Sequence, residues 1–307
     1  GSAYIFNVTT GAELHKLTAS DAATGDINGE YFGESVAIDG NYAIVGAPLL
    51  NNNGIDGGSA YIFNVTTGAE LHILSSGDPY YGDNFGTSVA ISGNYAIVGA
   101  RNDDDTGTNS GSAYIFNVTT GARLHKLTSS DGAAGDQFGY AVAIDGNYAI
   151  VGAFGNDDVP DDSGSAYIYN VTTGAEVSKI VASDAGNRDN FGISVAIDGN
   201  YAIVGAYYGQ TGKTGQSYIF NLKGMEWTQL GQDIDGEAGG NFAGDMSGWS
   251  VSLSCDGTIV AIGAPGNDPN YGNNEGHARV YQYSSGSWTQ LGQDIDGESV
   301  YNSYGWS

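Results

Sequence analysis

Apolar residues in this chain come in short alternating runs, and the runs recur. Residues 140–144 read YAVAI and residues 148–152 read YAIVG. Alternation with a period of two predicts strands. The second run is apolar on both faces, which suits a strand inside a sheet covered on both sides. Asp145-Gly146-Asn147 joins the two as a tight hairpin turn. A second pair follows, at residues 165–170 and 176–181. It is joined by NVTTG, whose glycine suits positive φ. No helical apolar pattern is visible.

These four strands form one unit, and the chain consists of copies of it. FGYAVAIDGNYAIVGA at residues 138–153 recurs almost letter for letter at 32–47, 85–100 and 191–206. The first residues of these copies are 53 positions apart. A diverged copy, SGWSVSLSCDGTIVAIGA, occupies 247–264, and a stub, YGWS, stands at 304–307. The hairpin GSAYIFNVTTGAELHKL at 1–17 is the back half of a further copy. In the last two copies Trp227 and Trp288 enter a shared phrase, WTQLGQDIDGE. Repetition at this period implies a solenoid, a propeller or an array. Four-stranded sheets buried on both faces are what propeller blades require.

The expected fold is therefore all-β, a β-propeller of four-stranded blades. It has five complete blades (32–80, 85–130, 138–182, 191–231 and 247–292), a half blade at 1–17, and the start of another at 304–307. The whole of 1–307 is read as a single propeller domain or a fragment of one, from a parent of six or seven blades. Small residues (Ala141, Ala143, Gly152, Ala153) are expected to let neighbouring sheets approach closely.

Composition narrows the partners. There are 35 acidic and 9 basic residues, a net charge of −26. Such a surface repels nucleic acid and anionic membranes. No apolar run reaches the ~18 residues of a membrane span. Cys255 is the single cysteine, so no internal disulfide scaffold exists. It is expected to be a small, half-buried residue beside a strand.

The order FG, SVAIDGNYAIVGA, GSAYIF and an acidic link such as SDGAAGDQFG resembles the FG-GAP repeat. This is the propeller repeat of integrin α-subunits and of many secreted bacterial and algal proteins. The resemblance covers essentially the whole chain. It implies a calcium loop of the form DxDxDGxxD between the first two strands of a blade. Here that connection is only IDGNYA or SCDGTIVA. Too few carboxylates remain for the 6–8 oxygens that calcium takes, so calcium is not expected at that place.

Candidate chemistry lies elsewhere. Asn7, Asn64, Asn117 and Asn170 each begin an NVT triplet, the acceptor pattern for N-glycans. All four fall on the turn between the third and fourth strands, where the alternative reading is simply a good turn. The loops between the second and third strands vary from copy to copy and are acidic. Asp103 and Asp105, with Asp157 and Asp161, are the candidates for calcium in these loops, against solvated acidic turns. In a propeller those loops share one face with the links between blades, and this face is the expected interaction surface. In the links, Ser130 and Asp131 with Asp136, and Ser183 and Asp184 with Asp189, recur with the repeat, and their side-chain oxygens are expected to cap turn amides. Tyr80, Tyr81, Tyr207, Tyr208 and Tyr271 lie on the same face. His15, His72 and His125 recur at one place, as surface packing does. His277 has no metal-ligand spacing around it.

No convergent catalytic set is present, so the chain is not expected to be an enzyme. It is expected to be an extracellular or cell-surface adhesion or structural propeller, a unit of a larger surface protein or fibre. Its partners would be further copies or another extracellular protein. A module binding carbohydrate or protein through the acidic face, with or without calcium, is the alternative. A propeller glycosidase or lyase is the third reading.

Overall fold

In the computed structural model, the described residues are 1–21, 31–50, 57–78, 80–157, 162–208, 214–237, 244–267, 276–297 and 305. Among them there are strands and turns and no α-helix. The first sheet pairs β1 (Ala3–Phe6) with β2 (Glu13–Leu17). The second has the order β3 (Val36–Asp39), β4 (Tyr42–Ala47), β5 (Ser59–Asn64), β6 (Glu70–Leu74). The third repeats it with β7 (Phe85–Ser92), β8 (Tyr95–Ala100), β9 (Ser112–Asn117) and β10 (Arg123–Leu127). The fourth runs β11 (Ala141–Asp145), β12 (Tyr148–Ala153), β13 (Ser165–Asn170), β14 (Glu176–Ile180).

The last two complete sheets gain a strand. The fifth is β15 (Ser194–Asp198), β16 (Tyr201–Ala206), β17 (Gln216–Lys223) and β18 (Glu226–Gln229), with β19 (Ile234–Asp235) also on β17. The sixth is β20 (Ser250–Leu253), β21 (Ile259–Ala264), β22 (His277–Ser284) and β23 (Ser287–Gln290), with β24 (Ile295–Asp296) also on β22. The two short strands are not evident from the repeat. β18 covers Phe220 to Lys223 of β17, and β19 covers Gln216 and Ser217. The phrase WTQLGQDIDGE is thus one outer strand broken in the middle, at Gly231 with φ +77°.

By its contacts the chain divides into two compact units, residues 1–146 with 170–175, and 147–169 with 176–307. In the first unit the middle strands bury both faces, each in a different core. Ala43 and Val45 of β4 join Ile5, Leu17, Phe32, Tyr61 and Phe63. Ile44, between them in sequence, joins Ile62, Phe85, Val98 and Phe116. In the second unit Ile203, Ile219, Val260, Ile262 and Trp288 pack in the same way.

Successive sheets within a unit are joined by the FG pair. The amide of Phe85 donates to the carbonyl of Gly57 at 2.9 Å, and Phe85 bridges Gly58 in parallel at the start of β5. Its ring turns into its own sheet, with centroids 5.4 Å from Tyr114 and 5.9 Å from Phe116. The following glycine offers its carbonyl to the preceding sheet. Ser35 Oγ donates to Gly86 O at 2.8 Å, Ser88 Oγ to Gly139 O at 3.0 Å, and Ser194 Oγ to Gly248 O at 2.7 Å. Of the small residues expected to let the sheets approach, Gly152 does so: a Cβ built there would stand 1.9 Å from the carbonyl oxygen of Gly192.

Further bonds tie the turns. Asp39 Oδ2 accepts from the amide of Gly93 at 2.7 Å, and Ser92 Oγ donates to Asp145 Oδ1 at 3.1 Å. Where the resemblance implies calcium ligands, these carboxylates hold a neighbouring turn. Cys255 is exposed rather than half-buried. The turn SCDG points it outward while Asp256 Oδ1 accepts from Ser254 and Thr258.

Candidate functional site

The NVTTG turns are built by their asparagines. Asn7 Oδ1 accepts from the amides of Thr9 and Thr10, Asn64 from Thr66 and Thr67, Asn117 from Thr120, and Asn170 from Thr172 and Thr173, at 2.9–3.1 Å. This carboxamide turn uses the oxygen and leaves the amide nitrogen as the atom to which a glycan would attach. The repeated histidines do more than pack on the surface. His15, His72 and His125 lie within 3.0–3.1 Å, through Nε2, of the carbonyls of Thr66, Thr119 and Thr172 in the following turn. The imidazole is thus a link between repeats, and its recurrence follows from the recurrence of that turn.

On the loops and links the acids are organised by burial. Asp83, Asp136, Asp189 and Asp245 are the link aspartates, each 0–3 % exposed. Each uses Oδ2 to accept one turn amide, from Tyr80, Ala133, Gly186 and Glu237 respectively, at 2.5–2.9 Å. The capping role expected for Asp136 and Asp189 is what these bonds show. The residue after each aspartate adopts a left-handed backbone (Asn84, Gln137, Asn190 and Met246, φ 52–58°). That turn feeds the chain into the FG position.

Asp103 is buried and fully engaged. Its Oδ2 accepts from Tyr114 Oη at 2.7 Å and lies 3.2 Å from Lys126 Nζ, and its Oδ1 accepts from the amide of Asp105 at 3.1 Å. Asp105 also pairs with Lys126, and Asp78 stands 3.5 Å from it. The two calcium candidates of this loop thus share an ammonium group. Burial and the Asp103 carboxylate push the Tyr114 hydroxyl far above its ordinary range. Asp157 Oδ1 accepts from the amide of Asp162 at 2.8 Å. Asp161 and Tyr271 lie outside the described residues. Tyr80 and Tyr81 are exposed.

Among the described residues, loops and links meet in open grooves, one in each unit. In the first unit, Asp78, Tyr80 and Asp83 of a link face Asp103, Asp104 and Asp105 of the β8–β9 loop around about 410 Å³. In the second, Asp162, Arg188, Asn190, Tyr207 and Tyr208 surround about 260 Å³. The Tyr207 ring meets Tyr208 edge-on at 5.3 Å and Trp249 at 5.0 Å. The expected association of variable loops with links is therefore found in each unit. The sequence shows both segments but not which side chains meet.

Within the first groove the pKa of the Asp83 carboxyl is raised. Burial raises it from 3.8 to about 6, Asp103 and Asp104 add to the rise, and the Tyr80 amide opposes it. The folded chain therefore holds this proton more tightly than the unfolded chain. The stability gained is complete below pH 3.8 and is lost as pH rises through about 6. Asp83→Asn keeps an acceptor for the Tyr80 amide and removes the titration. From about pH 4 to about pH 6.5 the wild type should lose stability relative to this variant. Parallel denaturation midpoints across that range would refute the assignment.

Sheets of this order, joined by FG and GA positions, define a chain of propeller blades. A family model described as FG-GAP repeat matches residues 12–63, 70–116, 123–169 and 175–220. The matches cover more than half of the chain, which belongs to the FG-GAP repeat family. No curated protein sequence matches it. The sixth sheet lies beyond the matched residues yet has the same strand order. FG-GAP repeats point to a propeller-like binding or adhesion module. No helix among the described residues is long and apolar enough to cross a membrane.

Proposed function

We propose that this chain is a non-catalytic adhesion or structural module of the extracellular space or cell surface. It makes contact through its loop-and-link grooves. One observation carries the reading. Serines and histidines that recur in several copies are consumed in joining sheets, whereas loop residues that differ between copies, Asp104, Asp105, Tyr207 and Tyr208 among them, line the grooves. The second groove pairs two tyrosines with Arg188, Asn190 and Asp162. Such a set suits a partner with both apolar faces and hydrogen-bonding groups, as proteins and oligosaccharides have.

The reading includes membership of a larger assembly. Val36 and Ile38 of β3 are each 60 % exposed, while their counterparts Val89 and Ile91 are 8 % exposed. Around them Tyr4, Phe6, Val8 and Ala43 line an open apolar groove of about 510 Å³. A further strand laid there would give β3 the cover that β7 already has.

The test is retention of cells, neutral oligosaccharides and basic polypeptides by surfaces coated with the full chain. The double variant Tyr207→Ala/Tyr208→Ala should weaken whichever binding the wild type shows by about tenfold or more, as truncation of aromatic anchors does. Unchanged binding in this variant would overturn the role of the second groove. Turnover of an oligosaccharide by the wild type would overturn the non-catalytic reading.

A further inference from the structure

The sixth sheet departs from its siblings at two positions. The first residue of the third strand is Ser59, Ser112, Ser165 and Gln216 in four sheets, and His277 in the sixth. Two residues on, Tyr61, Tyr114, Tyr167 and Tyr218 give way to Arg279. Around this pair gather three carboxylates from separate segments: Glu237 after β19, Asp245 in the link before β20, and Asp294 before β24. Their spacing follows no metal motif, because only the paired sheets bring them together.

His277 is 2 % exposed and Asp245 0 %. His277 Nε2 faces Asp245 Oδ2 at 3.7 Å, and Nδ1 faces Asp294 Oδ2 at 3.9 Å. Both separations exceed a hydrogen bond. Among the described residues, Nδ1 of His277 has no hydrogen-bond partner. Buried polar atoms left in this way cost stability unless something satisfies them. Arg279 does not serve this nitrogen. It binds Glu237 and donates to both oxygens of Asp294, at 3.1 and 3.3 Å. Glu237 and Asp294 thus share the guanidinium of Arg279.

The geometry points to a site for one divalent first-row metal ion, held by His277 Nδ1, Asp294 and Glu237. The donor atoms of these three lie within 4.8 Å of one another. Donors each about 2.1 Å from a shared ion can be at most about 4.2 Å apart, so side-chain movement on the ångström scale completes the set. An imidazole nitrogen with carboxylate oxygens selects zinc-like ions over calcium, which takes oxygen ligands. Asp245 stands 3.7 Å behind the ring at Nε2, and the same ångström-scale movement would let it accept the Nε2 proton, as carboxylates behind metal-bound histidines do. Glu237 and Asp294 have side chains 55 % and 28 % exposed, which gives the ion a way in.

Calorimetric titration of the full chain with zinc tests this, in a large excess of calcium to occupy the general acidic surface. One zinc should bind, and cobalt at the same site should give a visible spectrum of mixed nitrogen and oxygen ligation. His277→Gln installs the residue that the fifth sheet already carries at this place, so the fold should accept it. It should weaken zinc binding by about 100-fold or more, since losing even an orienting partner costs about 10–100-fold. Asp294→Asn, on the partly exposed side, should weaken it by at least about tenfold and decides the matter if His277→Gln fails to fold. Arg279→Gln, which frees both carboxylates, should tighten it. Absence of stoichiometric zinc binding by the wild type, or wild-type affinity in both ligand variants, would overturn the site.

Discussion

Replacing Phe85 by alanine is expected to destabilise the first unit by about 4 kcal/mol, the ordinary cost of emptying a buried aromatic site. Phe85 is fully buried. Its ring is wedged edge-on against Tyr114 and Phe116, and its core also contains Ile44 and Ile62 of the neighbouring sheet. The alanine variant keeps the amide that bonds Gly57, so the loss isolates the ring from the backbone clip. Denaturant titration with tyrosine fluorescence would measure it. A loss under about 1 kcal/mol would mean that the FG aromatic is not the wedge described.

A single methyl group at Gly99 should do comparable damage by the opposite route. A Cβ built there would stand 1.9 Å from the carbonyl oxygen of Gly139 and 2.9 Å from its carbonyl carbon. Both are backbone atoms of the next sheet, and no rotamer change can move them. Overpacking a close-packed interior costs about 1–3 kcal/mol and more where the neighbour cannot yield, so Gly99→Ala should lose about 3 kcal/mol or more. Gly93 is the control. Its φ is +56° and nothing lies within 4 Å of an added Cβ, so Gly93→Ala bears only the left-handed backbone cost of about 1–2 kcal/mol. Thermal or denaturant midpoints of the two variants make the comparison. A loss at Gly99 no larger than that at Gly93 would show that the seam between sheets does not require glycine there.

Both variants alter residues of the repeated phrase, where the sequence was most legible. Alternation in YAVAI and an apolar run in YAIVGA placed strands within a residue or two, because a covered sheet leaves that pattern whatever the chain beside it. The tight turns and the repeated blade order were readable for the same reason. The outer strand of WTQLGQDIDGE was less so. Its break at Gly231 is a departure from periodicity, and the register of β19 on β17 depends on pairing that no local pattern encodes. The role of the histidines is partly legible for a related reason. Three copies carry His15, His72 and His125 at one place, as packing on the surface would, and the rings do lie against the neighbouring copy's turn; the bond from Nε2 to that turn's carbonyl needs the structure.

The candidate sites divide along the same line. Acidic loops and the tyrosines beside them were visible as residues that vary between copies. Lys126, which joins Asp103 and Asp105, stands in a strand that local pattern gives no cause to connect with that loop. The cluster around His277 was invisible, since residues 237, 245, 277 and 294 follow no ligand spacing.

For this protein the sequence alone determined the strands, the turns and the family. Each rests on interactions between residues near one another in a repeat, and repetition multiplies their signal. The tertiary structure decided which charges meet, which buried acids are shared with a cation, and where a nitrogen and carboxylates converge. Those depend on separations of a few ångströms between segments far apart in the chain, which sheet pairing sets and composition does not record.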